Sequence, residues 1–423
     1  MMLSTEKCRI PLVISTFFLS MVTGCFQESS DITTGQRRVS RADIPESDLV
    51  VQVNSGAVRE TSSTSIRARS SAPSARVTLS TGPEATGDFL VEVFNLHPSS
   101  QPRILGVQGV SRTQNSACAD DSALIVCAEA RDSLGSPCAG SEDCAEGTTC
   151  IASSCEATER LNTCDQMNTV ATESSTEFAI TLPLSPCTST IVEFAPEQTP
   201  TQAKFVVIGS TSSLGKLESA LSAALDHDAD FAVLLGENLD SADQSAVDGL
   251  EIRLNRTPIP VVFVASANAN IIDEGDYALR LLGPHDFIFP WGPARFVTFF
   301  TGNHTVDELG LTRLDTFLRS YRRDTDSSPP VFSFTHTPPI DPNGVRNLGF
   351  THRTQGARVL SLFNRYGANA LFAGRINASD RTNFADLDLW ITSAYDSVLE
   401  NRREILLVSV DADGTYSIEP QTF

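Results

Sequence analysis

The chain has 423 residues, 41% of them hydrophobic, which is enough for two domains and a linker. Its 52 acidic against 31 basic side chains leave a net charge of −21. That balance excludes nucleic acid as a partner, since nothing neutralises a phosphate backbone, and suits a soluble, self-repelling surface.

The N-terminus reads as an export signal. Lys7 and Arg9 precede an apolar run from Ile10 to Val22, which closes in Val22-Thr23-Gly24-Cys25. A basic start, a short apolar stretch and small residues before a cut make a secretory leader, too short for a membrane span. A Cys directly after the small residues resembles a bacterial lipobox, over residues 1–25. The resemblance implies acylation of Cys25 and a lipid anchor in the membrane. With Phe26 rather than Asp next in line, it implies the outer membrane, on the periplasmic or the cell-surface side. Ordinary cleavage nearby, with Cys25 incidental, is the bland alternative. Residues 26–75, rich in Ser, Thr, Arg, Asp and Glu, predict a disordered tether.

Cys8 leaves with the leader. The remaining cysteines are Cys118, Cys127, Cys138, Cys144, Cys150, Cys155, Cys164 and Cys187. An even, clustered set in an exported chain predicts disulfides, with the connectivity open. A zinc knuckle would need thiolates in a reducing compartment and usually tighter Cys-x2-Cys pairs. Around the cysteines the pattern has period two: Phe89, Val91 and Val93, then Phe178, Ile180, Leu182 and Leu184, then Ile191 to Phe194. Residues 76–202 therefore predict half-buried strands, arranged like a small Ig-like β-sandwich, with a Cys-rich insertion at about 118–164.

From 203 to 423 the pattern changes. Short apolar runs stand at Phe205–Ile208, Phe231–Leu235, Val261–Val264, Phe296–Phe300, Val331–Phe334, Ala370–Phe372 and Ile405–Val410. Helical stripes lie between several of them: Leu214, Leu217, Leu221 and Ala224; Val247, Leu250 and Leu254; Leu311, Leu314, Leu318 and Tyr321; Val359, Leu362, Phe363 and Tyr366. Strand–helix alternation predicts a layered α/β domain with its ligands at the strand ends.

The loops after these strands carry a resemblance. They read Gly209-Ser210-Thr211-Ser212, Gly236-Glu237-Asn238-Leu239-Asp240, Ser266-Ala267-Asn268-Ala269, His336-Thr337-Pro338-Pro339 and Gly374-Arg375-Ile376-Asn377. Their order resembles that of the calcineurin-like metallophosphoesterases, with most metal ligands replaced. The resemblance implies a calcineurin-like phosphoesterase-type sandwich. In the family's Asp-x-His slot stand Ser210 and Ser212. Glu237 takes the place of the bridging Asp, Ala267 and Asn268 that of the Asn-His pair, and Arg375 and Asn377 that of the closing His-x-His. His336 alone matches. Two dications need several carboxylates and imidazoles converging at about 2.0–2.5 Å, and this donor set falls short. No metal and no cofactor are therefore expected.

Three further patterns stand beside this resemblance. Gly302-Asn303-His304 spells part of a family motif, but Val261–Val264 fits that slot better, so the match reads as coincidence. A serine hydrolase built on Ser210 or Ser212 with His336 lacks a Gly-x-Ser-x-Gly elbow. The Ser210–Ser213 loop opens a helix whose free N–H groups could take an anion, against plain N-capping by Ser212 or Ser213. A further expectation is that Arg375 lies near Glu237 and fills the old metal site. The reading that follows is a lipid-anchored protein whose phosphoesterase-like domain is inactive and serves as a binding or scaffolding module for an unknown protein or anionic ligand. The alternative is a divergent metal-dependent phosphoesterase with an atypical site.

Overall fold

A computed structural model describes residues 40–109, 167–211, 213–236, 244–265, 282–322 and 329–423, except 173, 343, 345–347, 377–378 and 394–402, and fragments between 118 and 157. The leader, Cys25, Cys138 and Cys164 lie outside the described residues, as does the side chain of Cys150.

The N-terminal unit runs β1 (Arg41–Ile44), β2 (Leu49–Asn54), β3 (Gly56–Thr61), β4 (Ser65–Ser70), β5 (Ala75–Thr81), β6 (Asp88–Phe94), β7 (Ser100–Gly109), β8 (Leu124–Val126), β9 (Thr148–Ile151), β10 (Ser154–Ala157), β11 (Asn168–Val170), β12 (Glu177–Pro183) and β13 (Thr188–Pro196). Two sheets, in the orders β1-β2-β5-β13-β7-β8 and β11-β12-β6-β4-β3, face each other. All pairs are antiparallel except β4 with β6. One core lies between them, with Leu49, Val51, Val53, Val77, Leu79 and Val192 from one sheet and Ile66, Phe89, Val91, Val93, Ile180 and Leu182 from the other.

This corrects the expected tether over 26–75, because from residue 40 onward the segment is part of the sandwich. Its strands alternate, with Leu49, Val51, Val53 and Ile66 pointing inward, but most of their outward neighbours are polar: Gln52, Asn54, Ser65 and Arg67. That polar half masked a period-two signal that needs only three inward residues per strand. Disulfides join Cys118 to Cys187 and Cys144 to Cys155, and Cys127 is also disulfide-bonded. The first ties the insertion back to the turn before β13.

The second unit runs β14 (Ala203–Ile208), α1 (Leu214–Asp226), β15 (Phe231–Leu235), α2 (Gln244–Arg256), β16 (Val261–Val264), β17 (Phe287–Trp291), β18 (Ala294–Thr298), α3 (Glu308–Arg322), β19 (Val331–Thr335), α4 (Arg353–Tyr366), β20 (Ala370–Ala373), β21 (Asp380–Phe384), β22 (Leu387–Ile391), β23 (Glu404–Val410) and β24 (Tyr416–Thr422). The sheets have the orders β16-β15-β14-β23-β24 and β17-β18-β19-β20-β22-β21. Strands β14, β15 and β16 are parallel, as are β18, β19, β20 and β22. Each parallel strand is covered on both faces, which explains continuous runs such as Phe231–Leu235, buried throughout.

Phenylalanines fill the space between the sheets. Phe205 and Phe231 of the first meet Phe296, Phe332, Phe334 and Phe372 of the second, with ring centroids 5.2 to 6.4 Å apart. Helices α1 and α2 bury Leu217, Leu221, Leu250 and Leu254 on the outer face of one sheet. Helices α3 and α4 bury Leu311, Leu314, Leu318, Val359 and Phe363 on the other. The result is a four-layer helix–sheet–sheet–helix sandwich, and the helical stripes face where the sequence put them. Gly367, in the left-handed region at φ 62, ends α4.

The two units share a polar, buried contact at the edge strand β16. The Asn95 side chain accepts from Val261 N (2.7 Å) and donates to the carbonyls of Val261 (3.1 Å) and Ser70 (2.7 Å). Arg69 is 0% exposed and donates to Asn255 Oδ1 (3.0 Å) and Val261 O (3.3 Å). Burial lowers its pKa to about 10, with Glu251 acting the other way. Arg59 pairs with Glu251. The His97 ring packs on Trp291 at 4.9 Å. The sandwich thus covers the first residue of an edge strand whose backbone groups would otherwise be open.

Candidate functional site

The parallel strands of both sheets end on the same side, and the loops that leave them form the candidate site. Strand β14 ends in Gly209-Ser210, β15 in Gly236, β19 in His336-Thr337 and β20 in Gly374-Arg375. The two sheets are tied together here by a parallel bridge between Ser210 and Ser393, just after β22. Ser210 is buried, and its hydroxyl accepts from Arg375 N at 3.4 Å.

Two glycines let the loops close on each other. A Cβ at Gly209 would lie 2.1 Å from the Thr392 carbonyl oxygen. One at Gly374 would lie 2.6 Å from the Leu235 carbonyl oxygen and 3.6 Å from His336 Nδ1. Backbone therefore occupies space at the strand ends. His336 is 0% exposed, and its Nδ1 stands 3.2 Å from Leu235 O, so that nitrogen carries the proton if it donates there.

Arg375 is half-buried, with φ 62 in the left-handed region. Its guanidinium donates to Leu348 O at 3.0 Å. It therefore reaches the loop before α4. Glu237, its expected partner, lies outside the described residues, as do Ser212, Ala267, Asn268 and Asn377. Of the sequence candidates, the strand ends bring together Ser210, His336 and Arg375. The helix after Ser210 is N-capped by Ser213, whose hydroxyl accepts from Lys216 N at 3.4 Å, which supports the capping reading for this loop.

Several neighbours escaped sequence reasoning. Thr301 accepts from Thr335 Oγ1 (3.1 Å) and Thr337 N (3.0 Å), which fixes the chain on either side of His336. Gly302–His304 forms a 3-10 turn after β18, and His304 Nδ1 lies 3.3 Å from Thr337 Oγ1. The turn follows β18 of the second sheet, not β16. It still brings a second imidazole to the same end of the molecule. Nearby, His285 is buried against Phe300, with centroids 4.5 Å apart. Burial, reinforced by Arg313, lowers its pKa to about 3, so it is neutral at ordinary pH. For Thr301 and His285 the only sequence signal was a position next to a strand end, whereas Gly302–His304 was visible as a partial motif.

The donor chemistry does not fit a two-metal centre. The ligand slots present hydroxyls, a guanidinium, methyl and amide groups, the one carboxylate of Glu237 and the one imidazole of His336. Among the described residues no three His, Cys, Asp or Glu side chains converge. No step through a metal is derived.

No protein-family model and no curated protein match this chain. Solved structures do. They include GAP50, the anchor in the inner membrane complex of Plasmodium (11% identity, 52% of this chain and 84% of that one, TM-score 0.40). An archaeal phosphodiesterase (10%, 52% and 99%, TM-score 0.29) and the vacuolar protein sorting 29 of Cryptosporidium parvum (10%, 52% and 98%, TM-score 0.28) also match. Calcineurin-like phosphoesterases are thus among the structural neighbours of about half the chain. At these identities the site has to be read from its own residues.

Proposed function

We propose that the chain is an exported, lipid-anchored protein whose phosphoesterase-like domain is catalytically inactive and works as a binding or scaffolding module. One observation carries this reading. The one ligand-type residue kept in the resemblance, His336, is fully buried on the Leu235 carbonyl, with Gly374 packed against it. A metal-activated water needs an open coordination position, and backbone contacts at Gly209 and Gly374 occupy the strand ends. The buried hydrogen bonds that attach the sandwich through Asn95 and Arg69 suit a scaffold. In this reading the sandwich is an Ig-like spacer, Cys25 carries the lipid in the outer membrane, and the ligand is a protein or an anion.

The divergent phosphoesterase is the second reading. It draws on the two imidazoles, His336 and His304, on either side of Thr337. Elemental analysis of the purified protein, with a chromogenic phosphodiester assay, separates the two. The inactive reading expects substoichiometric metal and no turnover above buffer. About one metal per chain, with turnover abolished by His336→Ala, would establish the enzyme instead.

A further inference from the structure

The outer helical layer of the second sheet carries a groove that the strand-end site does not use. It has a volume of about 400 Å³ and runs between α3 and α4. Such a volume fits a small organic ligand. Helix α3 contributes Leu311, Thr312, Asp315 and Arg319, and α4 contributes Arg358, Ser361, Leu362 and Arg365. The α4 residues recur at i, i+3, i+4 and i+7, so they form one face.

The charge of this groove runs against that of the chain. The whole protein is at −21, yet α4 carries Arg353, Arg358 and Arg365 and no acidic residue. Two of the groove arginines are partnered: Arg358 by Glu308 across the rim, and Arg319 by Asp315 on its own helix and by Tyr366 across the groove. The Arg358–Glu308 pair is solvent-exposed, so Glu308 exchanges readily with a competing anion, whereas Asp315 is partly buried and also accepts from the Tyr366 hydroxyl. Arg365 has no hydrogen-bond or ion-pair partner among the described residues and is exposed. Arg358 and Arg365 lie about 10 Å apart along the helix axis, with Ser361 between them, so two guanidiniums can converge on one group above that serine. Leu311 and Leu362 offer an apolar wall beside this polar end.

We infer that this groove binds a small organic phosphate monoester, the dianion meeting Arg365 and Arg358 and the carbon skeleton lying on Leu311 and Leu362. Forked guanidiniums match phosphate oxygens in paired hydrogen bonds, and a dianion gains from each. A plain electrostatic account also exists: Arg365 stands in the last turn of α4, where a cation is favoured by the helix dipole.

Calorimetry on the full chain at low salt decides between them, with glucose 6-phosphate as the probe and glucose and inorganic phosphate as controls. The expected result is saturable heat with glucose 6-phosphate, weaker binding of phosphate and none of glucose. Arg365→Ala should weaken binding about tenfold or more, and Arg365→Lys less. Thermal stability of Arg365→Ala should stay near wild type, because no contact is lost. Absence of saturable heat, equal affinity in Arg365→Ala, or equal affinity for inorganic phosphate or glucose would each overturn the inference. The outcome is separate from the inactivity of the strand-end site, which metal content and turnover report.

Discussion

At the scale of single residues, the glycines explain how the strand-end site closes. Gly209 and Gly374 sit where backbone from a neighbouring strand or loop leaves no room for a methyl group. Gly209→Ala is expected to lower stability by about 1–3 kcal/mol, as overpacking does, and urea unfolding would measure it. A wild-type midpoint would mean that the Thr392 backbone does not press on this position. His285 adds a pH dependence. Its ordinary pKa of 6.5 falls to about 3 in the fold because burial opposes the charged form and Arg313 repels it. Below pH 6.5 the unfolded chain binds a proton that the native His285 refuses until about pH 3. Stability is therefore lost as pH falls through that window, at about 1.4 kcal/mol per pH unit. His97, also lowered by burial, acts in the same direction. Replacing His285 by Gln should flatten the acid limb of a stability–pH curve; an unchanged slope would assign it to other groups. The identities of Ser210, His336 and Arg375 as strand-end residues were legible from the apolar runs before them. The burial of His336 was not, because it depends on Leu235 and Gly374 arriving from other strands.

Among elements, legibility followed periodicity. The α1 and α3 stripes and the buried strands β14, β15, β16, β19 and β20 are continuous or regular in sequence, and each formed as expected. Strands β17 and β22 were missed. Pro290 interrupts the first, which is tolerable because β17 is an edge strand, and Asp388 interrupts the second, where it pairs with Arg381. The early strands β2 and β4 were read as tether because the Ser, Thr and Arg of the segment between and within them outweigh the short apolar alternation at Leu49, Val51, Val53 and Ile66. Two of those polar residues, Arg69 and Ser70, are buried at the contact between the units. Asn95 directly follows β6, and no sequence pattern marks its role. In the fold it takes the left-handed region at φ 67 and completes the edge of β16. Asn95→Ala should cost about 2–4 kcal/mol, because it takes the acceptor from Val261 N and a donor from each of the Val261 and Ser70 carbonyls, leaving Arg69 on the former. A loss below about 1 kcal/mol in urea titration would show that water replaces the amide.

For the whole molecule, these contacts make two differently patterned halves one body. Both tryptophans, Trp291 and Trp390, lie in the second unit, and Trp291 touches His97 of the first. Unfolding followed by tryptophan fluorescence and by far-ultraviolet circular dichroism should therefore give coincident transitions. Two separated midpoints would show that the units melt independently. The Cys118–Cys187 bridge closes a separation of 69 residues. In the chain-entropy account its loss costs about 4 kcal/mol, so reduction should lower the midpoint of the sandwich markedly. An unchanged midpoint after full reduction, confirmed by thiol titration, would rule out that contribution.

Local pattern sufficed for what depends on neighbours along the chain: the two periodicities, the helical faces, the clustered cysteines, and the poverty of metal-binding side chains in the loops. Those follow from side-chain type and spacing alone. Which cysteines pair, where the sandwich begins, how Asn95 and Arg69 join it to β16, and how the strand ends close over His336 were settled by folding. Each requires groups far apart in sequence to meet, and polar side chains such as Arg69 reveal a buried role only when their distant partners, Asn255 and Val261, are in place.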